Sequence, residues 1–406
     1  MTSQSRPQSS ESVRGAGARL LVLDVLRGVA ILGILLRNIE SFGLLSSQYV
    51  NPTAFGEPPP LDWAWWVVNH VIAEDKFITI LTILFGAGIV LMARGAHGTA
   101  SDFQQRFDRR MWWLLVFGLV HGLLVWPGDI LAAYAICGLI AVRLRQRQPL
   151  ELVFIAVLLY AAAMILWILI SVFLVFIVPS EVAQTLAIRY WGPSSEMIAR
   201  EITRLTSEWF AYTGERMLNA LGAQLWMLAS DRIFRMLGMM LLGMALFRIG
   251  FLSGEWKLRS YRRVLVVGLL VGVPVSLVGV WFNQATGWDF RYSMFLGRIA
   301  NHWASVAVAL AWISLAIIIF RKRLAAPACA ALAAVGRLAM TNYIMQSLIA
   351  TAIFYGFGLG LFGMFGYLEL FGIALGIWAF QIVFSLLWRR YIGQGPLERL
   401  WRRLAG

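Results

Sequence analysis

About ten apolar stretches follow one another along the chain, at 20–44, 63–92, 111–127, 129–142, 151–178, 231–250, 264–282, 293–320, 338–361 and 368–388. A helix of about 20 apolar residues crosses a hydrocarbon layer about 30 Å thick. The pattern therefore predicts an all-α, polytopic membrane bundle of about ten transmembrane helices. The third and fourth stretches are short and joined by Trp126-Pro127-Gly128-Asp129, a turn signal that predicts a helical hairpin. One connection is long, 179–216. Within it Ile198, Ile202, Leu205 and Trp209 recur at helical spacing, which predicts an amphipathic helix on the outer surface or over a cavity. Residues 1–19, rich in Ser, Gln and Gly, predict a disordered cytoplasmic tail. Residues 389–406 contain GQGPLERLWRR, a break followed by a basic amphipathic helix expected at the membrane surface. Between these tails, 20–388 reads as one transmembrane domain.

Charge fixes the expected sidedness. The net charge is +14, which alone would suit nucleic acid, but the basic residues gather in short loops between apolar stretches. With an even number of spans, 24 of the 35 basic residues fall on one side and only Arg189, Arg200, Arg204, Arg216 and Arg291 on the other. By the positive-inside rule this predicts both termini in the cytoplasm, and no nucleic-acid partner is expected. The apolar fraction of 60%, against about 45–50% for soluble domains, agrees with a bilayer environment. Cys137 and Cys329 form no CxxC pattern, which argues against a metal site or a disulfide framework.

Charged and polar residues inside apolar stretches carry the functional signal, because a charge in the bilayer is costly and faces a cavity or a partner. Asp24 and Arg27 share a helix face, as an internal ion pair or a donor-binding site. Arg37, Asn38 and Glu40 close the same stretch. Asp75 and Lys76 lie in the second stretch, in a local pair with Glu74 or facing a cavity; Arg298 and His302 lie one turn apart in the eighth. Asn342 and Gln346 share a face of the ninth, suited to inter-helix hydrogen bonding or to a ligand. Two histidines are candidate bases. His121 lies across the short turn from Asp129, and a carboxylate that accepts from one ring nitrogen leaves the other free to take a proton. His70 stands at the start of the second stretch. His97 falls in a basic loop and is expected to be solvated. The chain has no Walker A, GxSxG or HExxH motif. Gly86 and Gly88 sit in a helical pattern, as packing glycines and not as a phosphate loop.

Five blocks occur in order: LDVLRGVAILGILLRNI, KFITILTILFGAGIVLM, RRMWWLLVFGLVHGLLVWPGDILAAYAICG, GRLAMTNYIMQS and GPLERLWR. Together they resemble the YeiB-like membrane proteins that carry domain of unknown function 418, over about residues 20–403. That family is in turn similar to the transmembrane acyltransferases, which include heparan-alpha-glucosaminide acetyltransferase and the acyltransferase-3 enzymes. The shared feature is the Asp–x–x–Arg–Gly opening, here Asp24, Arg27 and Gly28. The resemblance implies a multi-pass protein of the bacterial inner membrane. It would move an acyl group, such as acetyl, from cytoplasmic acyl-CoA to an acceptor at the outer face, an envelope sugar or lipid. It also implies that Arg27 helps hold the donor. AEDKFITILTILFGAG looks like the second span of the heparan enzyme, whose catalytic histidine lies just upstream, and His70 stands near that position.

The expectation is an acyltransferase with acyl-CoA as donor substrate and no tightly bound cofactor. His121 with Asp129, or His70, would be the base. Asp24, Arg27, Asn342 and Gln346 would lie toward the donor, and Asp75, Lys76, Arg298 and His302 would charge the cavity. Membrane lipids and an acceptor that the sequence does not name are the other partners, and a homodimer is compatible with the chain. The alternative is an ion-coupled transporter or lipid exporter, since buried charges around a cavity serve transport equally well.

Overall fold

A computed structural model of the chain describes residues 8–95, 99–207 and 213–406. Trp209 and His97 lie outside the described residues. All regular structure among the described residues is helical, with no strand. The first half holds α1 (Gln8–Gly43), α2 (Ser46–Val50), α3 (Pro60–Ile72), α4 (Lys76–Arg94), α5 (Ala100–Leu124), α6 (Leu131–Ala141) and α7 (Pro149–Phe176). The long connection folds into α8 (Ser180–Tyr190), α9 (Ser195–Thr206) and the start of α10 (Thr213–Ala229). The remainder is α11 (Arg232–Arg248), α12 (Leu258–Ala285), α13 (Phe290–Ser293), α14 (Ile299–Arg321), α15 (Ala326–Arg337), α16 (Ala339–Phe354), α17 (Tyr367–Tyr391) and α18 (Pro396–Ala405).

The protein is an all-helical membrane protein. Among the described residues five segments are long and apolar enough to cross a bilayer: Pro60–Arg94, Pro149–Phe176, Leu258–Ala285, Leu296–Arg321 and Tyr367–Tyr391. A sixth is counted if α15 and α16, bent by 83°, form one broken span. The other expected spans differ for visible reasons. α1 is long but carries Asp24, Arg27, Arg37 and Glu40, and α6 has only 11 residues. α1 also begins at Gln8, inside the segment expected as a tail; after Pro7 no proline interrupts that stretch.

Two crossings knit the bundle. A Cβ on Gly28 would meet the Leu332 backbone, and one on Gly336 would meet the Asp24 carbonyl. α1 and α15 therefore touch backbone to backbone, the close approach that small residues allow in membranes. Gly86 and Gly243 make the same reciprocal contact between α4 and α11, against the Met240 and Ile83 backbones.

Two peripheral pieces dock on this bundle. α9 begins at Ser194, whose hydroxyl accepts from the Met197 N–H. Its Ile198, Ile202 and Leu205 pack on an aromatic cluster that includes Trp66, Trp126, Trp191 and Trp288. Glu201 accepts from the Ser46 N–H (3.1 Å) and hydroxyl (2.5 Å), and the Gly356 N–H donates to the Leu205 carbonyl (2.9 Å). The C-terminal basic helix α18 turns inward to the bundle. Its Glu398 accepts from the Met340 and Thr341 N–H groups (2.8 and 3.0 Å) and from the Thr341 hydroxyl. Those donors open α16 and have no partner within it. Trp401 donates its indole N–H to the Arg110 carbonyl of α5 (2.9 Å).

Candidate functional site

The second apolar stretch is broken, not continuous. α3 ends at Ile72 and α4 starts at Lys76, with Asp75 in the left-handed region at φ 66°. Asp tolerates that conformation better than most residues. Three of the carbonyls that end α3 find partners. Asn69 O accepts from the Ala73 and Glu74 N–H groups, His70 O from the Lys76 ammonium (2.6 Å), and Ile72 O from the Trp312 indole (3.0 Å). Irregular backbone at membrane depth is tolerated where it is buried in protein or lines a cavity. Here it turns three consecutive charged side chains outward in different directions.

Glu74 meets Arg37 of α1 (3.1 Å), the His70 ring (2.5 Å) and, more distantly, Arg298 (3.8 Å). Asp75 pairs with Arg235 of α11 (3.2 Å). Lys76, fully buried, donates to the Asn301 side-chain oxygen, which also accepts from Ser276 (2.9 Å). Arg37 also pairs with Glu40, donates to the Tyr49 carbonyl (2.5 Å) and lies over the Tyr49 ring. Asn69 donates to Glu40 (2.5 Å). A cavity of about 250 Å³ opens here, whose wall includes Arg37, His70, Glu74, Asp75, Arg235 and Arg298; Lys76, expected to charge it, is not in the lining and stands behind the wall. His70 stacks on Trp66, with centroids 4.9 Å apart. Its Nδ1–H donates to Glu74, and its Nε2 is buried with no hydrogen-bond partner. That is the arrangement of an oriented imidazole base.

His121 and Asp129 are brought together in the same style. Nδ1–H donates to Asp129 at 2.7 Å, Nε2 has no partner, and the two residues are 2% and 0% exposed. The second Asp129 oxygen accepts from the Ala132 N–H at 3.0 Å, tying it to the start of α6. This pair does not reach the cavity surface. Its neighbours Trp126, Gly128 and Ile130 do, so it lies behind that wall. His302 is buried against Tyr160 (centroids 4.2 Å) with neither ring nitrogen bonded, and it too stands outside the cavity lining.

The four residues expected toward the donor sit elsewhere. Asp24 bridges Arg27 (2.9 Å) and Arg337 (2.8 Å), directly at the α1–α15 crossing. Asn342 donates to Val335 O and the Ser385 hydroxyl; Gln346 donates to Ile31 O and the Gln381 side chain; Gln381 returns a bond to Asn342 O. All four bonds from Asn342 and Gln346 lie between 2.9 and 3.1 Å. They bind α16 to α17 and α1, and none of these residues lines the cavity.

Comparison with known proteins assigns the family. The chain is 35% identical to the uncharacterized protein YeiB of Escherichia coli (strain K12) over 393 residues, 95% of this chain and 96% of that protein. It is 30% identical to the uncharacterized protein YxaH of Bacillus subtilis (strain 168), over 95% of this chain and 93% of that one. The chain belongs to the YeiB-like family. Residues 246–406 match the family model described as a protein of unknown function, DUF418. No solved structure gives a significant match. The DUF418 match takes in Arg298, Asn301 and the α15–α18 seam. His70, Glu74, His121 and Asp129 precede it, inside the longer alignments with the YeiB-like relatives.

Several wall residues were not singled out from sequence: Glu74 as the hub, Arg232 and Arg235 as cavity cations, and Asn301 and Tyr49. Glu74 had a local signal, four residues after His70 and so on its face of a helix. Arg232 and Arg235 also share a face, at the start of an apolar stretch, where an interfacial reading competes. Nothing local links Arg235 to Asp75, 160 positions earlier.

Proposed function

We propose that this chain is an integral-membrane acyltransferase. It would carry an acyl group from cytoplasmic acyl-CoA to an acceptor hydroxyl or amine at the outer face of the bacterial inner membrane. The observation that supports this reading is the His70–Glu74 pair in the wall of a cationic cavity, with Nε2 unpartnered. Glu74 holds the ring with Nδ1 protonated, so Nε2 takes the acceptor proton as the acceptor oxygen or nitrogen attacks the thioester carbonyl. The positive wall stabilises the oxyanion of the tetrahedral intermediate. Its collapse expels the CoA thiolate, which takes up the proton from His70. His121–Asp129 is the second candidate base, and its place behind the wall ranks it below His70. Ten spans with both termini in the cytoplasm remain the topology of this proposal. The loops at 94–110, 143–147 and 321–337 are then cytoplasmic and α9 lies outside, a placement that cysteine labelling of α9 from the cytoplasmic side would overturn.

The test is CoA release from acetyl-CoA by purified protein supplied with envelope extract. Acceptor-dependent thiol release that is lost in His70→Asn supports transfer. No release with any extract, together with no saturable acyl-CoA binding, sinks it. One observation favours transport as a second reading: the broken α3–α4 segment at the cavity, a device that transporters use at binding sites. Solute uptake into vesicles with no covalent change would favour that reading.

A further inference from the structure

The cavity wall holds more positive charge than its own carboxylates neutralise. Arg37, Arg232, Arg235 and Arg298 line it, against Glu74 and Asp75. Arg37 is committed to Glu40 and Glu74, and Arg235 to Asp75. Arg298 reaches Glu74 only at 3.8 Å, on the same oxygen that Arg37 holds at 3.1 Å. Arg232 is exposed and forms no ion pair with a described carboxylate. Counting the charged groups just behind the wall does not reverse the balance: Glu40 and Asp231 add two carboxylates, and Lys76 adds a cation bonded only to neutral oxygens. Two guanidiniums at one cavity are thus left poorly matched, at a place where low-dielectric walls focus their field.

Arginine presents a planar fork that fits carboxylate and phosphate oxygens in pairs. We infer that the acceptor carries an oxyanion, a phosphate ester or a carboxylate, gripped by Arg298 and Arg232, which sets its reactive hydroxyl or amine beside His70. The word acceptor rests on the acyl-transfer reading; the anion site does not.

A lipid phosphate and a free phosphate compound share this chemistry, and the experiment separates them. Thermal unfolding of the full chain is followed in neutral detergent with increasing inorganic phosphate. It is then followed in nanodiscs of phosphatidylglycerol and of phosphatidylcholine. Stabilisation by phosphate is expected if a free oxyanion suffices, and stabilisation by phosphatidylglycerol alone if the anion must be lipid-borne. In either case Arg232→Gln and Arg298→Gln should raise the half-saturating concentration about tenfold or more, while Arg189→Gln, an exposed arginine on α8, should not. Arg232 has no ion pair with a described carboxylate to lose, so its variant keeps the test readable if Arg298→Gln folds poorly. No stabilisation by either anion, or wild-type behaviour of Arg232→Gln, overturns the inference. Anion binding without transfer to any acceptor would remove the acyltransferase reading alone. Transfer to a neutral acceptor with no anion effect would remove this one alone.

Discussion

Two regions of α1, one at mid-helix and one near its C-terminal end, use the same residue types for different purposes. Around Asp24 and Arg27 every charge has a close partner, the helix backbones touch through Gly28 and Gly336, and none of these residues lines the cavity. About 20 Å further along the helix, thirteen residues at 1.5 Å each, Arg37 and Glu40 belong to a wider network. There the backbone of the neighbouring segment is broken, a cavity of about 250 Å³ opens, and guanidiniums outnumber carboxylates. A charge in an apolar helix does not by itself mark chemistry. The seam shows charge and amides spent on joining helices. The cavity shows charge held beside empty space with capacity left over.

The largest test of this contrast is at His70. His70→Asn keeps much of the shape and should lower transfer about 10²- to 10⁴-fold. His121→Asn should cost less than about tenfold, because its ring does not face the cavity. Initial rates on matched amounts of folded protein decide, and equal losses would place both pairs in one relay. At the seam the expected effect is on stability. Gly336→Ala drives a Cβ into the Asp24 carbonyl, and overpacking of this kind costs about 1–3 kcal/mol. The melting temperature should fall, with the rate per folded molecule unchanged.

Asp24→Asn should cost about 1–2 kcal/mol, since it leaves Arg27 and Arg337 without a carboxylate. The figure is kept low because both arginines are partly exposed. Acyl-CoA affinity, measured by titration, should not move. A tenfold loss of affinity in Arg27→Ala at unchanged melting temperature would instead make the seam a donor site. The smallest effect is expected at Glu398→Gln, about 1 kcal/mol for a weakened helix cap, read from thermal unfolding.

The sequence made the helices and the His121–Asp129 pairing legible for local reasons. Apolar runs have a length, and Trp126-Pro127-Gly128 is a turn that returns the chain within eight residues. It did not reveal the break at 73–75. Glu74-Asp75-Lys76 inside an apolar run reads equally as one continuous helix facing a cavity. What stops the helix is the left-handed Asp75, paired with α11, while its neighbours Glu74 and Lys76 are held by partners on α1 and α14. The cavity was hidden for the same reason, because its wall is assembled from segments far apart in sequence. The amides Asn342 and Gln346 were visible, but their role depends on Ser385 and Gln381, one helix later.

The cap that Glu398 places on α16 also bears on how the molecule is made. Synthesis runs from the N-terminus, so the opening turn of α16 leaves the ribosome more than fifty residues before the carboxylate that satisfies it. Until then its Met340 and Thr341 donors must be met by water or by another chain. The α15–α16 bend therefore takes its capped form only after α18 has been made.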